Sequence, residues 1–237
     1  MRSTNSVGRT LGILLLLHLV VGLTAPFIIL HAVTGSRGFL LTAAENAVQV
    51  RTAVFLLTIG SAMAIAVSAA VLPTFRRYSS AMAFWLFALS IAGFSLQSVD
   101  NGRLLSMLSL SQQYASAGVA KAELFESLAL VVGSARKWAH YTYLLVAVSW
   151  IFLLFMALFR FRLVPRALAA FGLIGSLLQI AGVTVRGMLG YSPETRLAMP
   201  LAPAYAALAI WLIVKGLNEQ QSPLDLQSSG TGIAPVS

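Results

Sequence analysis

The side chains with chemistry to offer are few: His18, His31, His140, Asp100 and Arg186 all lie within or at the edge of long apolar stretches. An ionisable group inside a bilayer is costly, so each is a functional candidate by default. Imidazole is a common ligand for haem and transition metals, which makes His31 and His140, expected at matched depth, a two-histidine candidate for haem or metal. His18, near the middle of the first apolar run, has no partner at its own depth. For each histidine a hydrogen bond to a neighbouring helix or to interfacial water is the preferred role, and no metal or other cofactor is assigned. Arg186 follows Arg166 by a helical distance of about 30 Å, which puts it at a membrane boundary where its stem can snorkel. Its functional reading pairs it with Asp100, with Glu194 or with an anionic headgroup.

Polar residues gather toward one end of the apolar runs. Asp100, His140, Tyr143, Gln179 and Arg186 form the candidate ligand-binding set, and Gln97, Tyr141, Thr184 and Tyr205 belong to the same half. Such a distribution can enclose an outward-facing pocket for a lipid-like or small amphipathic ligand, or it can be an ordinary interfacial belt of aromatic and polar groups. Trp85, Trp138 and Trp211 fall near the ends of runs, as interfacial anchors should. Ala62, Ala66 and Ala70 have the four-residue spacing that lets two helices approach closely.

Stepping outward from these residues, the elements that must hold them are apolar helices. Of the 237 residues 58% are hydrophobic and only 10% charged, far below the ~25% charged residues of a soluble domain. The formal charge of +9 comes from bases that flank apolar runs singly or in small groups, so nucleic-acid binding is excluded as a reading. The absence of cysteine removes disulfides, iron–sulfur clusters, thiolate zinc sites and cysteine nucleophiles. Spans are expected at about 9–31, 50–72, 81–100, 138–159, 167–189 and 200–217. Residues 1–219 then form a single transmembrane domain and 220–237 a disordered cytoplasmic tail. The fold class is all-α: a six-helix transmembrane bundle with an extracytoplasmic amphipathic segment, residues 103–136, between spans three and four. Leu124, Phe125, Leu128, Val131 and Val132 give that segment one apolar face. It can run straight into span four, roof a pocket or lie on the membrane surface.

Local signals mark the helix ends. Thr42-Ala43-Ala44-Glu45 has capping-box spacing and predicts a helix start at Thr42, and Pro73 predicts its end. Ser79 or Ser80 can cap the next helix. The turn from Arg160 to Arg166, with Pro165, makes spans four and five a tight hairpin, and the break at 190–193 ends span five. The 16 bases divide equally between the two sides, but the two short turns hold Arg76, Arg77, Arg160, Arg162 and Arg166 without an acid. By the positive-inside rule both termini are expected in the cytoplasm.

Arg9-x-Leu11-Gly12, Leu72-Pro73, Lys137-Trp138-Ala139-His140, Arg160-x-Arg162-Leu163-Val164-Pro165-Arg166 and Trp211-Leu212-Ile213-Val214-Lys215-Gly216 together resemble the bacterial membrane family called domain of unknown function 4386. The resemblance covers residues 9–217. It implies six spans and a bacterial origin, hence the cytoplasmic (inner) membrane, and it brings no activity. It also implies a glutamate just after a proline entering the last span, where this chain has Pro203-Ala204.

Three function classes follow. A binding, sensing or scaffold protein comes first, because it needs only shape and one or two polar groups. A small-molecule transporter or permease is second, set back by the lack of an internal repeat and of a carboxylate deep in a span. An intramembrane enzyme is third, since paired carboxylates, a metal cage and an activated nucleophile are all missing from the pattern. The expected partners are membrane lipids and a small amphipathic ligand, with no nucleic acid; oligomeric state is not set by the sequence.

Overall fold

The computed structural model describes residues 4–33, 38–117, 121–189, 197 and 199–218. Among them the chain is helical throughout, without strands: α1 (Thr4–Leu23), α2 (Phe39–Thr42), α3 (Ala47–Arg76), α4 (Ser80–Ala117), α5 (Ala122–Arg160), α6 (Arg166–Leu189) and α7 (Leu201–Lys215). Five stretches are long and apolar enough to cross a membrane: Ser6–Ile29, Ala47–Arg76, Ser80–Ala117, Ala122–Arg160 and Arg166–Val185. The sixth, α7, has 15 residues, so at roughly 22 Å it is shorter than the hydrocarbon. The protein is a multi-pass membrane protein, and its exposed surface is accordingly apolar, with Phe27, Ile28, Phe55, Phe84 and Ile174 all facing outward.

The helices form a closed ring in chain order. α3 packs on α1 and α4, α5 on α4 and α6, and α7 on α6 and back on α1. Closure depends on small residues. A side chain at Gly12 would meet the Ala209 carbonyl at 2.7 Å, and one at Gly8 would meet the Gly216 Cα at 2.7 Å, so α1 and α7 touch backbone to backbone. In lipid no hydrophobic gain distinguishes helix from acyl chain, so close contact of this kind is the chief source of association. At Gly172 the Phe155 ring occupies the space a Cβ would need, seating α6 on α5. The Ala62 and Ala66 stripe serves no such purpose: both are exposed, and α3 instead turns Gly60, Ser61, Val67 and Ser68 inward.

Several local expectations are corrected. The capping box at Thr42 does not form, because the Thr42 hydroxyl donates to the Val33 carbonyl at 2.6 Å and to the Gly38 carbonyl at 3.0 Å. Thr42 thus ends the short α2, and α3 begins at Ala47. Pro73 does not stop α3, which carries on to Arg76. The proline removes one hydrogen bond within the last turn, where little helix remains to be lost. Pro26 has the larger effect: from Thr24 to Ile29 the chain widens into a π-helix, in keeping with a ring that cannot donate and crowds the carbonyl one turn back. Ser79 does cap α4, its hydroxyl accepting from the Met82 N–H at 3.3 Å.

Among the described residues, 103–117 continue α4 and 122–136 belong to α5, so this stretch runs straight into span four, one of the courses expected for it. α4, with 38 residues, and α5, with 39, are each about 57 Å long, so both continue well past the hydrocarbon as an antiparallel hairpin. Of the apolar face expected there, Phe125 is buried against Tyr114, while Leu124, Leu128 and Val131 are exposed. Exposed Arg51 and Arg103, with Arg136 and Lys137 on α5, form a basic level near the base of this hairpin. From Lys137 to Arg160 is about 35 Å of helix, close to the thickness of the hydrocarbon.

Two of the motifs behind the family resemblance, the turn after α5 and the end of α7, prove to be structural. Leu163 and Val164 are buried, Arg162 takes a left-handed φ of 54°, and the Leu163 carbonyl accepts from the Asn218 N–H at 2.8 Å. Gly216 closes α7 with φ 74°, its N–H donating to Leu212. The turn and the end of α7 thus clamp one another at the end of the bundle that also holds the start of α1. The expected break at 190–193, Glu194 and the tail 220–237 lie outside the described residues.

Candidate functional site

α4 carries a continuous inward stripe in which Ser90, Gly93, Gln97, Asp100, Asn101 and Leu104 recur at three- and four-residue steps. In the middle of that stripe the polar residues reach sideways to both neighbouring helices. Asn101 faces α3, donating to Thr58 Oγ1 at 2.9 Å and to the Val54 carbonyl at 3.4 Å, while accepting from Gln97 Nε2 at 2.8 Å. Asp100 faces α5. Its Oδ2 accepts from His140 Nδ1 at 2.8 Å, and its Oδ1 lies 3.6 Å from Arg136 Nε.

This Asp100–His140–Arg136 group is the polar centre of the protein. The aspartate side chain is only 3% exposed, whereas Arg136 is 23% and His140 38% exposed, so access is from the α5 side. Three polar atoms at the site are buried without a hydrogen-bond partner: Asp100 Oδ1, Gln97 Oε1 and Arg136 Nε. A buried polar atom left in that state costs about 1–3 kcal/mol, so two acceptors and a donor grouped on α4 and α5 mark the place where a further polar group would be most favourable.

Of the sequence candidates, the structure brings Asp100 and His140 into contact, and the Tyr143 ring stands 6.3 Å from His140. Gln179 is half-buried on α6 and among the described residues makes no hydrogen bond to this group. Arg186 is on α6, with its side chain outside the described residues. His31 is exposed on a 3-10 turn (Leu30–Ala32) that packs on α3. Among the described residues no three His, Asp or Glu side chains are grouped as a metal site would need. On the same stretch of α5 the Lys137 ammonium lies over the Tyr141 ring and Trp138 meets that ring edge-on, so an aromatic belt and a polar centre coexist there.

Sequence reasoning missed Arg136, although its signal was present: it stands four residues before His140, hence on the same helical face. It also left His18 alone. In the structure His18 Nδ1 shares a 2.9 Å hydrogen bond with Tyr205 Oη, and its ring meets Trp150 edge-on at 5.7 Å. Trp150 Nε1 donates to Ser68 Oγ at 2.8 Å, and Ser68 donates to the Leu86 carbonyl at 3.4 Å. One buried polar chain therefore pins α1, α7, α5, α3 and α4 together, and a tryptophan unconsidered in the sequence is its hub.

Elsewhere, an open groove of about 410 Å³ runs between α4 and α5 beside Trp85 and Phe152, toward the arginine turns and away from Asp100.

A family model described as Domain of unknown function (DUF4386) matches residues 10–216. No curated protein and no solved structure matches the chain.

Proposed function

We propose that this chain, which belongs to the family of unknown function 4386, is a membrane binding protein that holds a small amphipathic molecule at Asp100. The observation that carries this reading is the buried Asp100 carboxylate with Gln97 Oε1 beside it, two acceptors without a hydrogen-bond partner, next to the partly exposed His140. A head bearing hydroxyl or amine hydrogens matches those acceptors, and the apolar helices around them suit a hydrocarbon body. His140 orients the carboxylate through Oδ2, and Arg136 sets the charge around Oδ1. The reading takes the arginine turns as cytoplasmic, on the positive-inside rule, so that the site opens to the other side.

A specific observation favours a second reading, a transporter. Asp100 is well inside α4 rather than at its end, and the His18–Tyr205 pair continues polar groups into the middle of the bundle. A carboxylate–histidine pair leading to further polar groups is what proton coupling requires.

The test is purification in mild detergent, a visible spectrum, and mass spectrometry of what stays bound to the wild type and to Asp100→Asn. A small amphiphile retained by the wild type and lost in a folded D100N protein supports the binding reading. Identical bound molecules in both refute it. Proton uptake driven by a solute gradient in proteoliposomes, lost in D100N, would favour transport, and a Soret band would restore the haem reading of His31 and His140.

A further inference from the structure

The hydrogen bonds between α3 and α4 have a fixed polarity, because they start at a group that can only accept. The Val54 carbonyl accepts from the Thr58 hydroxyl at 2.9 Å and from Asn101 Nδ2 at 3.4 Å, and Asn101 Nδ2 also donates to Thr58 Oγ1 at 2.9 Å. Asn101 therefore turns its Oδ1 toward Gln97, and Gln97 must answer with Nε2, at 2.8 Å. What remains at the end of this chain is Gln97 Oε1, an acceptor without a partner on a side chain buried to 1% exposure.

Three residues on, Asp100 lies on the same face of α4. His140 occupies its Oδ2, whereas Oδ1 and Arg136 Nε stand 3.6 Å apart, both buried and neither in a hydrogen bond. A donor and an acceptor so placed are satisfied together by one group that accepts from the first and donates to the second. A hydroxyl does both, while an ammonium only donates and a phosphate or carboxylate only accepts. Charge sorts the candidates in the same way. Asp100 and Arg136 offset one another, so a neutral head leaves the pair balanced, whereas an ammonium adds a cation beside Arg136 and away from water. A hydroxyl oxygen bonded to both atoms needs them about 4.5 Å apart. The 23% exposed Arg136 side chain can supply that widening by moving toward the open side of α5.

We infer that the molecule held at Asp100 has an uncharged head with two neighbouring hydroxyls, one bridging Arg136 Nε and Asp100 Oδ1 and the other donating to Gln97 Oε1. The inference rests on the proposed binding role of Asp100 and narrows it, from any head with hydroxyl or amine hydrogens to a diol on a hydrocarbon body. The three-residue step from Gln97 to Asp100 keeps both acceptors on one side of α4, as a diol needs. Arg136 is the residue that sets specificity, because it supplies the donor that a hydroxyl can meet and the charge that an ammonium cannot.

The test uses the full chain in phosphatidylcholine nanodiscs, whose lipid has neither hydroxyl nor N–H to offer, and reads retained amphiphile by native mass spectrometry. The probes are a monoacylglycerol and, with the same chain length, the fatty-acid methyl ester, the alkanol and the alkylamine. The wild type should retain the monoacylglycerol over the methyl ester by roughly ten-fold, the effect of about two net hydrogen bonds, and the alkylamine hardly more than the ester. Gln97→Met should lower the monoacylglycerol to the level of the alkanol. Arg136→Met should reverse the order of monoacylglycerol and alkylamine, since the Asp100 carboxylate is then free to take a cation. Wild-type protein that retains the alkylamine as well as the monoacylglycerol would overturn this inference and leave the binding role of Asp100 standing. Equal retention of all four probes would overturn both.

Discussion

Removing the Asp100–His140 contact is the sharpest test of how this bundle is held at its polar centre. A charge-assisted hydrogen bond in a soluble protein contributes about 1.5–3 kcal/mol, but hydrogen bonds between membrane helices average near 0.6 and reach about 1.7 kcal/mol. Here the 2.8 Å geometry and the nearly complete burial of Asp100 favour the upper end, and the 38% exposure of His140 pulls the value down by letting water screen it. A coupling of roughly 1 kcal/mol is therefore expected between the two residues. It is measured as a double-mutant cycle of Asp100→Asn, His140→Ala and the pair, by reversible unfolding in mixed micelles. His140→Ala alone should cost more than the coupling, because Asp100 then keeps only Arg136, 3.6 Å from Oδ1, as a polar neighbour on α5. If the single changes add to within ~0.3–0.5 kcal/mol, the contact contributes nothing specific and the account of the centre is wrong.

The remaining expectations concern packing and orientation. Gly12→Val should force α1 and α7 apart at the Ala209 carbonyl and cost at least the 1–3 kcal/mol typical of overpacking, seen as a lowered midpoint in the same unfolding assay. Trp150→Phe should cost about 0.5–1.5 kcal/mol through the lost bond to Ser68, and Ser68→Ala added to it should cost little more, because the two share that bond. The chain has no cysteine, so single cysteines at Arg76 and Arg160 can be labelled without background. Both should react with an impermeant thiol reagent from the same side of a sealed membrane, and labelling from opposite sides would contradict the ring of helices.

Residue types along the chain are enough to set its relation to its solvent. Apolar runs of span length with few charges leave the bilayer as their surroundings, and the same runs, cut at Arg77 and Pro165, set the helices and their antiparallel order. Asp100 and His140 could be singled out because a charge in oil is conspicuous wherever it falls. The helical faces were hidden for the complementary reason. In water a stripe of apolar residues marks the side that turns inward, but in lipid both sides are apolar, so Ala62 and Ala66 looked like an interface and face outward instead. It is the packing of the helices that brings Arg136 to Asp100, sets His18 against Tyr205 from the far end of the sequence, and closes the ring with α7 against Gly8 and Gly12. Each of these rests on a rotation about a helix axis, and that rotation is set by shape where one helix meets the next.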